Sequence, residues 1–117
     1  MDDRGRVPIP PRYRDLFVQG ATLNQGPDPC LRLFTAESFE QQAQLYTRED
    51  ATEPAGRTTR RSFFANCFSV ELDRQGRILI PAPLRAYARL EGDVVIAGAG
   101  EWLEIWNREQ FEEHMRS

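Results

Sequence analysis

The sequence predicts an α+β protein built from two tandem, pseudo-symmetric modules rich in antiparallel strand pairing. Three observations lead there. Asp2-Asp3-Arg4-Gly5-Arg6-Val7-Pro8-Ile9-Pro10 returns about 71 residues later as Asp73-Arg74-Gln75-Gly76-Arg77-Ile78-Leu79-Ile80-Pro81. The match continues with a one-residue shift: Gly20 answers to Gly92, Leu31-Arg32-Leu33-Phe34 to Leu103-Glu104-Ile105-Trp106, and Phe39 to Phe111. In both copies, short β-branched or aromatic runs alternate with Pro/Gly turns and short helical stretches. Halves of roughly fifty to sixty residues also bury little core alone, so each has to complete the other's.

In the second half, Phe63 to Leu72 (F-F-A-N-C-F-S-V-E-L) reads as a strand, aromatic and β-branched with partial alternation. Asp73 to Gly76 is a turn, and Arg77 to Ile80 is the returning strand. Pro81 and Pro83 suit the first turn of a short helix that runs to about Leu90. A strand from Asp93 to Ala97, a Gly98-Ala99-Gly100 turn and a strand from Trp102 to Trp106 follow. Asn107 then caps a closing helix to about Met115. The first half repeats the order: a strand over Val7 to Ile9, a helix over Pro11 to Phe17, and strands at Ala21 to Asn24 and Cys30 to Phe34. A helix after Thr35 or Ala36 runs to about Tyr46. The modules are expected at residues 1–47 and 62–117. The polar, Pro/Gly-broken segment 48–61 reads as a linker, or as a loop before a helix packing on the second half.

All fifteen basic residues are arginine, and the net charge is −3. Their placement says more than the sum. Residues 1–14 carry four arginines against two acids, and residues 73–89 four against one. Arg57, Arg60 and Arg61 cluster without an acid, whereas 15–56 and 90–117 each hold two arginines against seven acids. The basic blocks coincide with the two motif copies, which points to a polyanionic partner such as nucleic acid.

No apolar run approaches the roughly 18 residues of a membrane helix, and the N-terminus is charged rather than signal-like, so a cytoplasmic location is expected. Cys30 and Cys67 sit in apolar neighbourhoods without C-x-x-C spacing and read as buried free thiols. The single histidine, His114, reads as a solvated side chain, and neither a metal nor another cofactor is expected. Glu109, Glu112 and Glu113 share one face of the terminal helix, the pattern of a solvated surface. With no nucleophile–base pair or phosphate-cradling loop, the chain does not read as an enzyme, and no small-molecule substrate is expected.

The repeated D-x-x-G-R turn has its own chemistry. Gly5 and Gly76 allow a positive φ that closes a tight turn. Asp2 and Asp73 can accept backbone N–H bonds across it and hold the arginine by a charge-assisted bond. The expected result is a rigid loop presenting Arg6 or Arg77, with Arg4 or Arg74 beside it. The planar fork of arginine suits phosphate and the O6/N7 edge of guanine. An arginine that only pins its own turn is the competing role, and the two are compatible.

Asp73 to Pro81, Pro83-Leu84-Arg85, the Asp93-Val94-Val95-Ile96 strand and Trp102-Leu103-Glu104-Ile105-Trp106 together resemble the second half of MraZ, a family of bacterial transcriptional regulators. Asp2 to Pro10 resembles its first D-x-x-x-R motif, and the resemblance spans essentially the whole chain. It implies tandem AbrB-type swapped-hairpin modules forming an intertwined small β-barrel with short helices. It also implies a nucleoid-associated homo-oligomer, a ring of many subunits. Such a ring would bind double-stranded DNA at direct repeats upstream of its own division and cell-wall operon. Arg6 and Arg77 would be the main DNA contacts, with Asp2 and Asp73 on the same motifs.

Family members usually carry a further strand before the first D-x-x-x-R, and here Met1 directly precedes Asp2. On that reading the start lies further upstream or the strand is lost. Its loss is expected to leave Val7 to Ile9 unpaired with an exposed apolar face, and to leave the first loop less secure than the second. Two other functions fit the same fold: an AbrB-type antitoxin-like DNA binder, and a structural oligomer that binds no DNA.

Overall fold

The computed structural model describes residues 1–116. In chain order the elements are β1 (Arg6–Pro8), α1 (Pro11–Arg14) running into a 3-10 turn (Asp15–Phe17), β2 (Ala21–Gln25), β3 (Leu31–Thr35), α2 (Ala36–Thr47) and α3 (Pro54–Phe64). The second half supplies β4 (Cys67–Val70), β5 (Arg77–Leu79), α4 (Ala82–Ala88), β6 (Val94–Gly98), β7 (Leu103–Asn107) and α5 (Arg108–Arg116). No helix among them is long and apolar enough to cross a membrane.

The helix starts follow from their local sequences. Pro11 and Pro83 occupy first-turn positions, where a missing N–H costs nothing. Thr35 and Ser38 form a capping box at the start of α2, each side chain accepting the other's backbone N–H at 3.0 Å. Asn107 caps α5, its Oδ1 accepting from the Gln110 amide at 3.2 Å.

Strand pairing crosses between the halves three times, at β1–β5, β2–β4 and β3–β7. β1 pairs antiparallel with β5 as a two-stranded ribbon, with Val7 opposite Ile78. The other five strands form an antiparallel sheet in the order β4–β2–β3–β7–β6. Within it, Arg32 of β3 stands opposite Glu104 of β7. Val7/Ile78 and Arg32/Glu104 are matched positions of the repeat, so ribbon and sheet are each centred on a local pseudo-twofold.

Three sequence-based expectations are corrected. The strand expected over Phe63 to Leu72 is shorter: Phe63 and Phe64 end α3, and β4 begins at Cys67. That strand pairs with β2 of the first half rather than with β5. Phe63 is held on a helix because its ring packs against Phe34, Phe39 and Tyr46, a cluster that only a helical approach from Pro54 brings together. A closed barrel does not form either. The five-stranded sheet is open, with β4 and β6 as its edges. Finally, Val7 and Ile9 are neither unpaired nor exposed. Both are fully buried, because β5 of the second half supplies the partner strand.

The core lies between ribbon and sheet. Val7, Ile9, Ile78 and Ile80 pack with Leu23, Leu31, Leu33, Leu84, Leu103 and Ile105 in one cluster drawn from both halves. Burying each such side chain stabilises the fold by about 1.5–3 kcal/mol relative to exposure. Neither half would keep this core alone, which agrees with the size argument. The two thiols are free. Cys30 is buried, and Cys67 is half-buried with its Sγ donating to the Phe63 carbonyl at 3.0 Å. His114 is exposed, yet its ring lies 4.8 Å from that of Trp106.

Candidate nucleic-acid interface

The two D-x-x-x-R segments fold into the same turn. In the first, the Gly5 amide donates to the Asp2 carbonyl at 3.1 Å and the Asp2 amide to the Arg6 carbonyl at 3.0 Å. In the second, the matching bonds from Gly76 to Asp73 and from Asp73 to Arg77 measure 3.0 and 2.8 Å. Glycine is required at both positions because φ is +83° at Gly5 and +76° at Gly76.

Each aspartate organises its loop. Asp2 Oδ1 accepts from the amides of Arg4 and Arg6 at 3.0 and 2.8 Å, while Oδ2 accepts from Arg6 Nε at 2.7 Å. Asp73 accepts from the amides of Gln75 and Arg77, both at 2.9 Å, and from Arg77 Nε at 3.0 Å. These N–H donors, the Arg6 and Arg77 amides first, hold both carboxyls below the usual carboxylate range. The loops also touch each other, with Arg77 Nη1 lying 3.7 Å from Asp2 Oδ2. The Ile9 amide donates to the Gly76 carbonyl, and the Ile80 amide to the Gly5 carbonyl, each at 2.9 Å.

Period-two alternation then sorts the ribbon's faces. Val7, Ile9, Ile78 and Ile80 point into the core, while Arg6, Pro8, Arg77 and Leu79 face outward. Arg6 stands opposite Leu79 and Pro8 opposite Arg77, so the two arginines occupy opposite corners of one outer face. Their side chains are 28% and 26% exposed. Each commits its Nε to an aspartate, and apart from the Arg77 Nη1 contact with Asp2 the Nη donors make no ion pair among the described residues. Arg4 and Arg74 are exposed at the loop tips.

Two residues of this region have no role in the sequence-based expectations, although Arg85 lies in the Pro83-Leu84-Arg85 segment of the resemblance. Arg14 and Arg85 are matched positions of the repeat, and each packs on the glycine of the other copy's loop: Arg14 on Gly76 and Arg85 on Gly5. Arg14 Nε also donates to the Ile9 carbonyl at 2.7 Å. Only their repeat spacing marked them, since both lie in helices away from the D-x-x-x-R motifs. Among the described residues no cluster of three or more His, Cys, Asp or Glu is placed to hold a metal.

Comparison with known proteins gives the chain's family. The family model described as "MraZ protein, putative antitoxin-like" matches the chain twice, over residues 1–62 and 63–117. The chain belongs to the MraZ family. Among its relatives, a protein of Thermomicrobium roseum named transcriptional regulator MraZ is 40% identical over 111 residues, covering 95% of this chain and 78% of the relative. One from Thermobifida fusca with the same name is 39% identical over 97% of this chain and 80% of its own length. One from Moorella thermoacetica, again so named, is 38% identical over 99% and 81%. The two family matches divide the chain where the D-x-x-x-R repeat does, one loop to each.

Proposed function

We propose that this MraZ-family chain is a DNA-binding transcriptional regulator, and not an enzyme, that meets the double helix with the outer face of the β1–β5 ribbon. The observation that carries the reading is the antiparallel pairing of the two motif copies, which sets Arg6 and Arg77 on one face. The major groove admits a two-stranded ribbon, and arginine Nη donors fit phosphate oxygens or the O6/N7 edge of guanine. Arg4 and Arg74 at the loop tips would reach the flanking phosphates. Asp2, Gly5, Asp73 and Gly76 hold the arginines in place. The relatives' shared name, transcriptional regulator, supports the same function.

In this reading residues 1–47 and 62–117 are two swapped-hairpin modules that share one DNA-binding ribbon. One subunit neutralises few phosphates, and the net charge of −3 opposes tight binding. A cytoplasmic ring of subunits, associated with the nucleoid, would add up weak contacts through effective concentration. Its operator would be a set of direct repeats upstream of its own division and cell-wall operon.

A mobility-shift titration on that upstream DNA tests the reading, with scrambled DNA as control and two salt concentrations. The expected result is a specific shift that weakens as salt rises, by a log–log slope of about −0.9 per phosphate contacted. Arg77→Ala should abolish the specific shift and leave the fold intact. Wild-type affinity in that variant would remove Arg77 from the interface.

A further inference from the structure

Arg32 and Glu104 are matched in the repeat and opposite each other in the β3–β7 register. An arginine and a glutamate so placed are expected to close an ion pair. They do not: among the described residues no carboxylate lies within 4.0 Å of Arg32. The glutamate is already engaged, its Oε1 accepting from Trp106 Nε1 at 2.9 Å and its Oε2 from Trp102 Nε1 at 3.2 Å.

Arg32 is nonetheless only 5% exposed. Its Nε donates to Asn24 Oδ1 at 3.2 Å, and its guanidinium lies over the rings of Phe34, Phe63 and Trp102 at 5.3, 5.8 and 5.3 Å. Ring faces offset part of the cost of burying the cation, but they supply no counter-anion. The Nη donors meet no acceptor among the described residues. Beside them Asn24 Nδ2 is buried with only the Cys67 thiol, a weak acceptor, facing it. Arg32 is thus a buried residue whose Nη atoms have no carboxylate partner and are not sealed off from the space beside them.

Arg32 lines a cavity of about 380 Å³ between β3, the two helices α2 and α3, and α4. Tyr46, Thr58, Ser62, Phe63 and Tyr87 form much of its wall, and no acidic side chain lines it. The hydroxyls of Thr58 and Ser62 make no bond within the described protein, and Tyr46 stacks on Phe63 with ring centroids 4.1 Å apart.

We propose that this cavity is a binding site for a small organic anion: a phosphate or carboxylate head on a flat ring. The head takes the Arg32 Nη donors, with Thr58 and Ser62 donating to it, and the ring lies against Tyr46. The Arg32 fork is suited to either head group, and its burial strengthens the contact. The site lies away from the ribbon loops and does not depend on DNA binding.

Titration of the full chain with phenyl phosphate, and separately with benzoate, tests the site, followed by calorimetry and by the fluorescence of the two tryptophans, of which Trp102 lies beside Arg32. Phenol is the uncharged control. Saturable one-to-one binding of at least one anion is expected, with phenol at least tenfold weaker. Arg77→Ala should bind like wild type, and Arg32→Met at least tenfold more weakly. Absence of saturable binding of both anions, unchanged affinity in Arg32→Met, or loss in Arg77→Ala would each overturn the proposal. If circular dichroism shows Arg32→Met unfolded, Thr58→Val combined with Ser62→Ala decides instead. A several-fold loss then supports the site, and unchanged affinity overturns it.

Discussion

Arg85 of α4 packs its guanidinium over Gly5 of the first loop, just as Arg14 packs over Gly76 of the second. Each half therefore clamps the other's D-x-x-x-R turn. A side chain at either glycine would meet two obstacles, a left-handed φ near +80° and an arginine occupying its space. Gly5→Ala and Gly76→Ala should each destabilise the protein by about 1–2 kcal/mol from backbone strain alone. Urea denaturation measures this. Gly92→Ala, at a positive φ in open space, should show the strain without the clash and so a smaller loss.

The aspartates set the loops' response to acid. Because N–H donors hold the carboxyls of Asp2 and Asp73 below the ordinary value, the stability they contribute is fully present above that value, about 3.9. It is lost as pH falls through the lowered folded-state values. The loops should therefore stay intact from about pH 8 to pH 5 and loosen only below about pH 4. Amide chemical shifts of Arg6 and Arg77, followed through an acid titration, report this directly. Asp73→Asn keeps an acceptor for the Gln75 and Arg77 amides but loses the charge opposite Arg77 Nε. It should weaken DNA binding several-fold while shifting the thermal midpoint less than Asp73→Ala.

Much of this site was legible because its determinants are local. Asp, Gly and Arg at fixed spacing specify the turn, and the structure forms that turn in both copies. Which strand pairs with which is a long-range matter, and there the sequence said less. Val7 to Ile9 looked orphaned because its partner, β5, lies about 71 residues away in the other copy. Phe63 and Phe64 looked like a strand because a short apolar run carries no decisive period. Arg14 and Arg85 were hidden because their role is to cover a glycine far away in sequence. The lone Arg32 was hidden for a similar reason, since only the fold reveals that Glu104 is already occupied by two tryptophans.

The thiols offer an independent check on the core. Burial pushes the Cys30 thiol up to about 12, and Cys30 is 1% exposed. Cys67 is also raised by burial but lies half-buried. At pH 8 in native protein, a disulfide reagent should modify Cys67 slowly and leave Cys30 untouched until denaturant is added. Rapid modification of both without denaturant would show that Cys30, just before β3, is not buried as described.

The placement of Phe63 on a helix is the last point open to direct test. Phe63 is 2% exposed and packs against Phe34, Phe39 and Tyr46, whereas neighbouring Phe64 is 39% exposed. Phe63→Ala should therefore cost about 3–5 kcal/mol, the range for a buried aromatic, and Phe64→Ala much less. A second substitution separates helix from loop upstream. Thr59 lies in the interior of α3, so Thr59→Pro should cost about 3 kcal/mol by removing a helical bond and crowding the preceding turn. In a flexible linker the same change would be nearly neutral. Chemical denaturation of the three variants measures all of this. Near-wild-type stability in both Phe63→Ala and Thr59→Pro would mean that α3 does not pack on the sheet.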